Sequence, residues 1–421
     1  MLNVDRSLTL EEIDLSSLDF WLLPLSVREG ALETLRKTNP VAHFDDPAWM
    51  LLSEDEGGFW VVTRHADAMA VSRDPKVFSS AKGAVSIPDL PQEFIEFFGS
   101  MISTDDPRHG RLRRVVSRAF TPKRLAHIED RIETLAHDLV GEASNNKEVD
   151  FVSQVAAELP LRIICEMMGV PNEKAHFVLE RSNTILGALD PEYVSPETDI
   201  DEAILKAAID LVSLMEEIGE DRIGSPLDDV TSALVNASVD GEVLSASELA
   251  SFFILLVVAG NETTRNAISW GMVALNENPD QRQLLRSNLN ELLPFAVEEI
   301  VRWSSPVIFM RRTTTKPTTT LGVRLSEGEK VLLLYGSANR DEDIFEDPYA
   351  FRVNRVDNRH LGFGGYGPHF CLGAHLARRE LGALFTEVMN QIPNYEVVGE
   401  PDRLRSNFIN GIKHLHIRTE A

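Results

Sequence analysis

Apolar residues recur at three- and four-residue intervals along most of this chain, and Pro and Gly interrupt the pattern often, which predicts a mainly α fold. A long, largely apolar helix is predicted from about Ser245 to Leu275. Another starts near Leu372 and runs through Leu376, Leu381, Leu384, Phe385 and Val388, whose spacing marks one buried stripe. Asp106-Pro107 has the form of a helix cap followed by proline at the first helical position, and Pro122 is placed to stop that helix. Strand signals are short and scattered: Gly58 to Thr63, Thr318 to Val323, Lys330 to Leu334 and His414 to Arg418. The balance predicts a large helical region with a small β-rich region. Between two helical patterns, Leu186 to Asp201 carries Pro191, Pro196 and several acids, and reads as a surface loop. No repeat, low-complexity tract or Gly/Ser linker divides the chain.

Composition narrows the partners. Of 421 residues, 43% are hydrophobic and 25% charged, so the chain can bury a large core. The 41 Lys and Arg against 66 Asp and Glu give a net charge of −25, which opposes binding to nucleic acid or anionic lipid. The acidic N-terminus (Asp5, Glu11, Glu12, Asp14 and Asp19 against Arg6) lacks the charge pattern of a secretory signal. The longest apolar stretch, Phe252 to Gly260, is about half of what a membrane span needs. With only Cys165 and Cys371, no disulfide framework is available, and a cytoplasmic protein is expected.

One of those cysteines stands in an unusual segment. His360 to Gly373 reads H-L-G-F-G-G-Y-G-P-H-F-C-L-G, with four glycines and a proline before Cys371, a fifth glycine after it, and a predicted helix next. Glycines permit tight turns and close backbone approach, and a helix start favours the thiolate that binds metal or attacks electrophiles. The competing reading is a buried structural cysteine in a Gly-rich turn. Zinc is poorly served, since His360, His369 and His375 lack a second cysteine nearby.

This segment resembles the haem-ligand loop of the cytochromes P450. The resemblance implies a haem b cofactor with Cys371 as its axial thiolate. The family's usual phenylalanine, seven residues before the cysteine, is Gly364 here, with Phe363 one place earlier, a variant similar to one bacterial branch. Further motifs follow in family order. Glu299 and Arg302 resemble the family's buried E-x-x-R pair, supported by Arg340 and Arg355 downstream. Glu33-Arg36 and Glu400-Arg403 share that spacing but read as solvated surface pairs. Ala259 to Thr264, A-G-N-E-T-T, resembles the oxygen-activation motif, which implies Thr263 and Glu262 as proton carriers beside dioxygen, with Ala259 and Gly260 against the haem. His109, Arg113, Arg312 and His369 match the haem-propionate partners, and Gly373 flanks the ligand. Adjacent Arg311 competes with Arg312 for that role.

The resemblance runs from about Asp45 to the C-terminus, so residues 45–421 are expected to form one catalytic domain with 1–44 packed on it. It implies a monooxygenase that hydroxylates an unactivated C–H bond of a hydrophobic substrate. The haem loop and Ser406 to Leu415 look like the branch acting on sterol side chains, methyl-branched lipids and terpenoids. Expected pocket residues are Ile87, Phe94, Phe98, Met101, Leu255, Val258, Val307, Phe309, Phe408 and Ile409, each of which ordinary core packing explains equally well. The loop from Leu186 to Asp201 is expected to act as a lid. Electrons are expected from a ferredoxin with its NAD(P)H-dependent reductase, because two cysteines cannot hold an iron–sulfur cluster and the chain ends soon after the Cys371 helix. Arg111, Arg114, Arg118, Arg378 and Arg379 are the expected docking patch for that donor. A monomer is expected. A peroxygenase or isomerase of the same fold, and a non-enzymatic haem or lipid binder, remain as alternatives.

Overall fold

The computed structural model describes residues 2–47, 57–89, 95, 98, 100–119, 122–236, 238–239 and 242–419. In chain order its helices are α1 (Leu18–Leu22), α2 (Leu25–Thr38), α3 (His65–Arg73), α4 (Arg108–Ala119), α5 (Pro122–Ser144), α6 (Glu158–Met168), α7 (Ala175–Leu186), α8 (Ile200–Arg222), α9 (Val230–Val235), α10 (Ala246–Glu277), α11 (Pro279–Ser287), α12 (Leu289–Ser304), α13 (Tyr335–Ala338) and α14 (Ala374–Gln391). The long helix α10 starts where the sequence marks it. Ser245 accepts from the Glu248 amide while Glu248 reaches back to the Ser245 amide, a reciprocal cap. Phe252, Phe253, Val257, Ile268 and Met272 on α10 are buried against α6, α8 and α12, so α10 is the spine of the main core. Among the described residues it is also the one helix long and apolar enough to cross a bilayer, and here it runs through protein.

The β-structure sits to one side. Strands β1 (Val41–Phe44), β2 (Phe59–Val62), β3 (Phe78–Ser79), β7 (Phe309–Thr314) and β8 (Lys330–Leu334) form a sheet in the order β1-β2-β8-β7-β3. The β2–β8 pair is parallel and the rest antiparallel. Between β3 and β8 in sequence come β4 (Glu148–Asp150) and the short pair β5 (Ser238–Val239) and β6 (Glu242–Val243). Strands β9 (Glu396–Val397), β10 (Asp402–Arg403), β11 (Ile412–His414) and β12 (His416–Arg418) follow α14. The predicted strand His414 to Arg418 is two strands, broken where Leu415 turns to bond the Asp150 carboxylate and the Phe151 amide. Thr318 to Val323 is a turn, closed by Gly322 N–H to Thr319 C=O at 3.0 Å, with a single bridge from Thr318 to Leu325.

The spaced pairs separate as buried and non-buried geometry demands. Arg302 donates to Glu299 through two nitrogens at 2.7 and 2.8 Å, and both side chains are fully buried on α12. Arg355 adds a contact at 3.0 Å, Asn358 one at 3.1 Å and the Arg352 amide one at 2.8 Å, so every lone pair of the carboxylate is used. Arg302 also bonds the carbonyls of Asn339 and Pro348, tying α12 to the segment that leads into the Cys371 loop. Burial opposes the Glu299 charge, but Arg302 and Arg355 outweigh it and hold the carboxyl below the ordinary range.

Glu33 and Arg36 do not form the solvated pair their spacing suggested. Arg36 is buried and reaches from α2 to Ser337 Oγ at 3.0 Å, Tyr349 OH at 2.6 Å and Glu342, while Glu33 pairs with Arg6 and Lys37. The face of α2 that carries Arg36 packs against the helix α13, which buries the guanidinium among these partners. Arg403 likewise folds back onto the Leu23 carbonyl at 2.8 Å. The N-terminal segment is thus pinned on the sheet and on the Tyr349 region, where Leu2 N–H bonds Tyr349 C=O.

Replacing Arg302 with Leu strands the buried Glu299 charge and is expected to cost about 3–5 kcal/mol of stability. Urea unfolding measures it, and a loss below about 1 kcal/mol would contradict the network's role.

Candidate active site

The Cys371 loop is built from its glycines. Gly364 sits at φ +96°, a region L side chains avoid, and its amide closes a turn onto Leu361 C=O at 2.8 Å. A side chain at Gly367 would lie 1.9 Å from the Ser72 carbonyl, so the loop packs against the end of α3 as only glycine allows. Cys371 N–H then bonds Phe363 C=O at 2.9 Å, which fixes the cysteine backbone. The helix α14 starts at Ala374, two residues past the expected Leu372, and the amides of Gly373 and Ala374 at its start turn toward the sulfur. Burial pushes the Cys371 thiol up, while the Gly373 amide, Arg113, Arg378 and the Ala374 amide act the other way. Cys165, in contrast, is buried in the core and pushed up to about 12 by burial.

Cys371 opens onto a cavity between α10, α14, β7 and the glycine loop, with about 1480 Å³ of empty space when its opening to solvent is included. His109, Arg113, Arg312, Phe363, Gly364, His369, Gly373, Ala259, Gly260 and Thr263 all line it. Strand alternation decides between the two arginines. Met310 and Arg312 face the cavity, while Arg311 points to the other side, onto the carbonyls of Ile87 and Pro88 at 2.9 Å each and onto Asp89.

The same alternation corrects the pocket. Met101, Leu255 and Val307 line the cavity, joined by Ile102, Ile164 and Met310. Phe309 turns away with Ile87 into a separate core under β2, and Phe408 packs on it with ring centroids 5.4 Å apart. Ile409 is buried in a bridge to Val307, Val258 is buried in the main core without lining the cavity, and Phe98 packs on the same core. Phe94 lies outside the described residues.

A basic row awaits an anion here. Arg312 is buried, its one hydrogen bond goes to the Arg311 carbonyl at 2.7 Å, and no carboxylate pairs with it among the described residues. The His109 ring lies 4.1 Å from the His369 ring, and its Nε2 is buried with no hydrogen-bond partner among the described residues. Burial first, then Arg312, drives His369 down to about 2, so it is neutral. A side chain at Gly373 would meet nothing within 4 Å. A large planar group bearing carboxylates on one edge, with iron beside the sulfur, fits these groups: it supplies the missing acceptors and fills the space over Gly373.

Thr263 Oγ1 bonds the Ala259 carbonyl one turn back at 2.8 Å and faces the cavity. Glu262 does not line it. Its carboxylate is buried and turned to Arg265 and Asn266. A residue that sequence reasoning missed does line it: Glu380 on α14, hydrogen-bonded to Thr264 and pushed up by burial to about 8, hence protonated at neutral pH. Its signal was present, since Leu376, Glu380, Leu384 and Val388 stand four apart on the buried stripe.

The expected basic patch is largely neutralised. Arg111 pairs with Glu248, Arg378 with Glu298, and Arg379 with Glu129 at 3.1 Å, while Arg114 is exposed. The Arg118 side chain lies outside the described residues. These acids come from other helices, which spacing along α4 and α14 alone does not reveal.

Between α7 and α8, residues 187–199 form the expected loop, clasped to the C-terminal strands instead of lining the cavity. Lys413 reaches Asp190 at 3.2 Å and Glu192 at 2.7 Å, and His414 bridges Asp150 at 2.8 Å and Glu192 at 2.9 Å through its two nitrogens.

A sulfur facing a large apolar cavity, with anion-seeking groups on one edge and a hydroxyl-bearing helix across it, is the setting of a haem-thiolate oxygenase. A family model described as Cytochrome P450 matches residues 201–402. The methyl-branched lipid omega-hydroxylase of Mycobacterium tuberculosis (strain H37Rv) is 49% identical over 410 residues, 96% of this chain and 94% of that protein. The steroid C26-monooxygenase of Mycolicibacterium smegmatis is 39% identical, covering 92% of this chain and 89% of its own length. A solved Mycobacterium marinum cytochrome P450 in complex with pseudoionone superposes with a TM-score of 0.92 at 39% identity, over 96% of this chain and 98% of that one. This chain belongs to the cytochrome P450 family and is a haem-thiolate monooxygenase using O2 and a hydrophobic substrate.

Hydrogen bonds to Asp150 and Glu192 raise the His414 pKa against the effect of burial. The bridge is therefore complete below the free imidazole value of about 6.5 and is lost as pH rises through the higher folded value. Amide exchange of residues 187–199, corrected for intrinsic rates, is expected to quicken between about pH 6 and pH 9 in the wild type and to be already fast in His414→Gln. Equal, pH-independent protection in both would contradict this.

Proposed function

We propose that this protein hydroxylates the terminal carbon of a methyl-branched lipid, with Cys371 as the iron ligand. The observation that carries the substrate reading is the apolar wall of Met101, Ile164, Leu255, Val307 and Met310 in the Cys371 cavity, together with the 49% identity to methyl-branched lipid omega-hydroxylases. An aliphatic chain gains about 0.8 kcal/mol for each methylene it buries on such a wall, so a long branched chain binds without a polar anchor. A sterol side chain is the second reading, favoured by relatives named steroid C26-monooxygenase at 39–41% identity.

In this reading haem b supplies dioxygen activation, and the chain's residues bind, orient and deliver protons. Arg312, His109, Arg113 and His369 hold the propionates, and Phe363, Gly364, Ala259, Gly260 and Gly373 frame the ring. Thr263 holds a proton at Oγ1 for transfer into the cavity, and Glu262 resupplies it from the protein side. Glu299 and Arg302 keep the loop in place from behind. Electrons come from a ferredoxin and its NAD(P)H-dependent reductase. Two cysteines are too few for an iron–sulfur cluster of the chain's own. Residues 45–421 act as one catalytic domain with 1–44 packed on it, in a cytoplasmic monomer.

Titrating the haem-loaded protein with a methyl-branched fatty acid, a steroid ketone and a monoterpene alcohol is expected to shift the Soret band most strongly, and at the lowest concentration, with the fatty acid. No shift with the fatty acid, or tighter binding of the monoterpene, would contradict the substrate reading. Thr263→Ala is expected to lower product formed per dioxygen consumed by about tenfold or more, measured by oxygen electrode and product analysis. Unchanged coupling would remove Thr263 from proton delivery.

A further inference from the structure

The apolar wall of the Cys371 cavity binds an aliphatic chain whichever end of it leads. A fixed direction needs a polar contact well away from the sulfur, and a second cavity is placed to give one. It holds about 670 Å³ of empty space when its opening to solvent is included. The short helical turn Ser100–Ser103 stands between the two: Met101 and Ile102 line the Cys371 cavity, while Ser100 and Ser103 line the second. On α10, Ser251 of the second cavity stands one turn before Leu255 of the first, and on α4 Arg108 stands beside His109. At 1.5 Å of rise per residue, Ser251 lies about 18 Å along α10 from Thr263.

The second cavity has hydrogen-bond donors to spare, and its acids are already occupied. Asp105 accepts from the Ser79 hydroxyl and, at 2.9 Å, from the Ser80 amide. Glu248 accepts from Arg111 and, at 3.1 Å, from the Ser245 amide. The hydroxyls of Ser100 and Ser251, in contrast, are buried without a hydrogen-bond partner among the described residues, on residues only 8% and 2% exposed. A serine inside a helix can bond the carbonyl one turn back, as Thr263 does, and Ser251 does not. Arg108 is exposed and reaches the Glu248 carboxylate only at 3.9 Å, beyond hydrogen-bond distance. Buried hydroxyls are rarely left unpaired, and two of them beside a guanidinium, with both neighbouring acids spent, form the donor set of a carboxylate site.

We propose that the second cavity holds the carboxylate end of the substrate. Ser100, Ser251 and Arg108 take the carboxylate, and the chain passes the Ser100–Ser103 turn beside Met101, whose unbranched side chain adapts to it. The far, methyl-branched end is thereby the one delivered to Cys371, so this cavity is what makes hydroxylation terminal. This rests on the reading of the substrate as a methyl-branched fatty acid.

The test titrates the haem-loaded full-length protein with a methyl-branched fatty acid and with its methyl ester, following the Soret band, and locates the hydroxyl group in the product. The wild type is expected to bind the acid about tenfold more tightly than the ester, as charge-assisted hydrogen bonds require. Ser251→Ala and Arg108→Gln are each expected to bring that ratio close to one, to change ester affinity by less than about twofold, and to lower the terminal share of the product. Ser251→Ala removes a hydroxyl that has no partner in the free protein, so its thermal midpoint without ligand is expected to hold or rise.

Equal binding of acid and ester by the wild type would overturn the proposal. So would an unchanged ratio and product position in both variants, or a lower thermal midpoint in Ser251→Ala as its one effect, which would leave Ser251 as packing. Should Arg108→Gln lose haem through its neighbour His109, Ser251→Ala and Ser100→Ala still decide. In each of these results the acid is still hydroxylated by the wild type, and the substrate reading stands. Failure of that reading looks different: neither acid nor ester would shift the Soret band of the wild type or yield product, and the proposal would fall with it.

Discussion

A sulfur that has to carry negative charge on the wall of a largely apolar cavity is the constraint around which this protein is arranged. Burial alone drives the Cys371 thiol toward its neutral form, so a thiolate there has to be stabilised by fixed groups and, with Cys371 as the proposed iron ligand, by the metal. The glycine loop exists to bring backbone amides to that sulfur, and only glycine permits its φ at 364 and its contact with Ser72. Arg113 contributes twice, as a cation beside the sulfur and as a donor to the Phe370 carbonyl at 2.7 Å. The loop would be too floppy to hold such geometry unaided. Its rigidity comes from Asn339 beneath it, whose carbonyl binds Arg302 and whose side chain binds the Leu361 amide and Ser305.

Seen this way the buried Glu299–Arg302–Arg355 network and the active site are one construction. A buried ion pair is a weak source of stability, because desolvation cancels most of its attraction. Its value here is positional: it fixes the end of α12, the Pro348–Ala350 carbonyls and Asn339 relative to one another, and the cysteine loop is laid on that platform. A second acidic centre lies on the same side. Glu298, next to Glu299 on α12, binds His360 and Arg378, which against burial hold its carboxyl down at about 2, and Arg378 in turn lies over the Phe363 ring at 4.4 Å.

Much of this was legible in the sequence, and the parts that were not share a cause. The Cys371 loop announces itself because its glycine density ahead of a helix start outweighs the reading of a structural cysteine in a turn, and α10 is marked by its long, largely apolar run from about Ser245 to Leu275. Strand β7 was missed because F-M-R-R-T-T does not alternate in polarity, although its side chains alternate in direction. Without that strand, Phe309 could not be sent to one side and Met310 and Arg312 to the other. The remaining pocket residues failed for a related reason, since an apolar position says that it is buried but not against what. Glu262 shows the limit most clearly: its motif was readable, but its orientation depends on Arg265 and Asn266, which Asn183 and the Ile412 amide hold from positions distant in sequence and adjacent only in the fold.

The central claim is that this cavity places one oxygen atom from O2 on the terminal carbon of a methyl-branched lipid. Turnover of a methyl-branched fatty acid under ¹⁸O2, with ferredoxin, reductase and NAD(P)H, tests it most directly by mass spectrometry of the product. The account predicts a single ¹⁸O at the terminal carbon and no product when Cys371 is replaced by Ser. Product bearing oxygen from water, or hydroxylation confined to the chain interior, would contradict it.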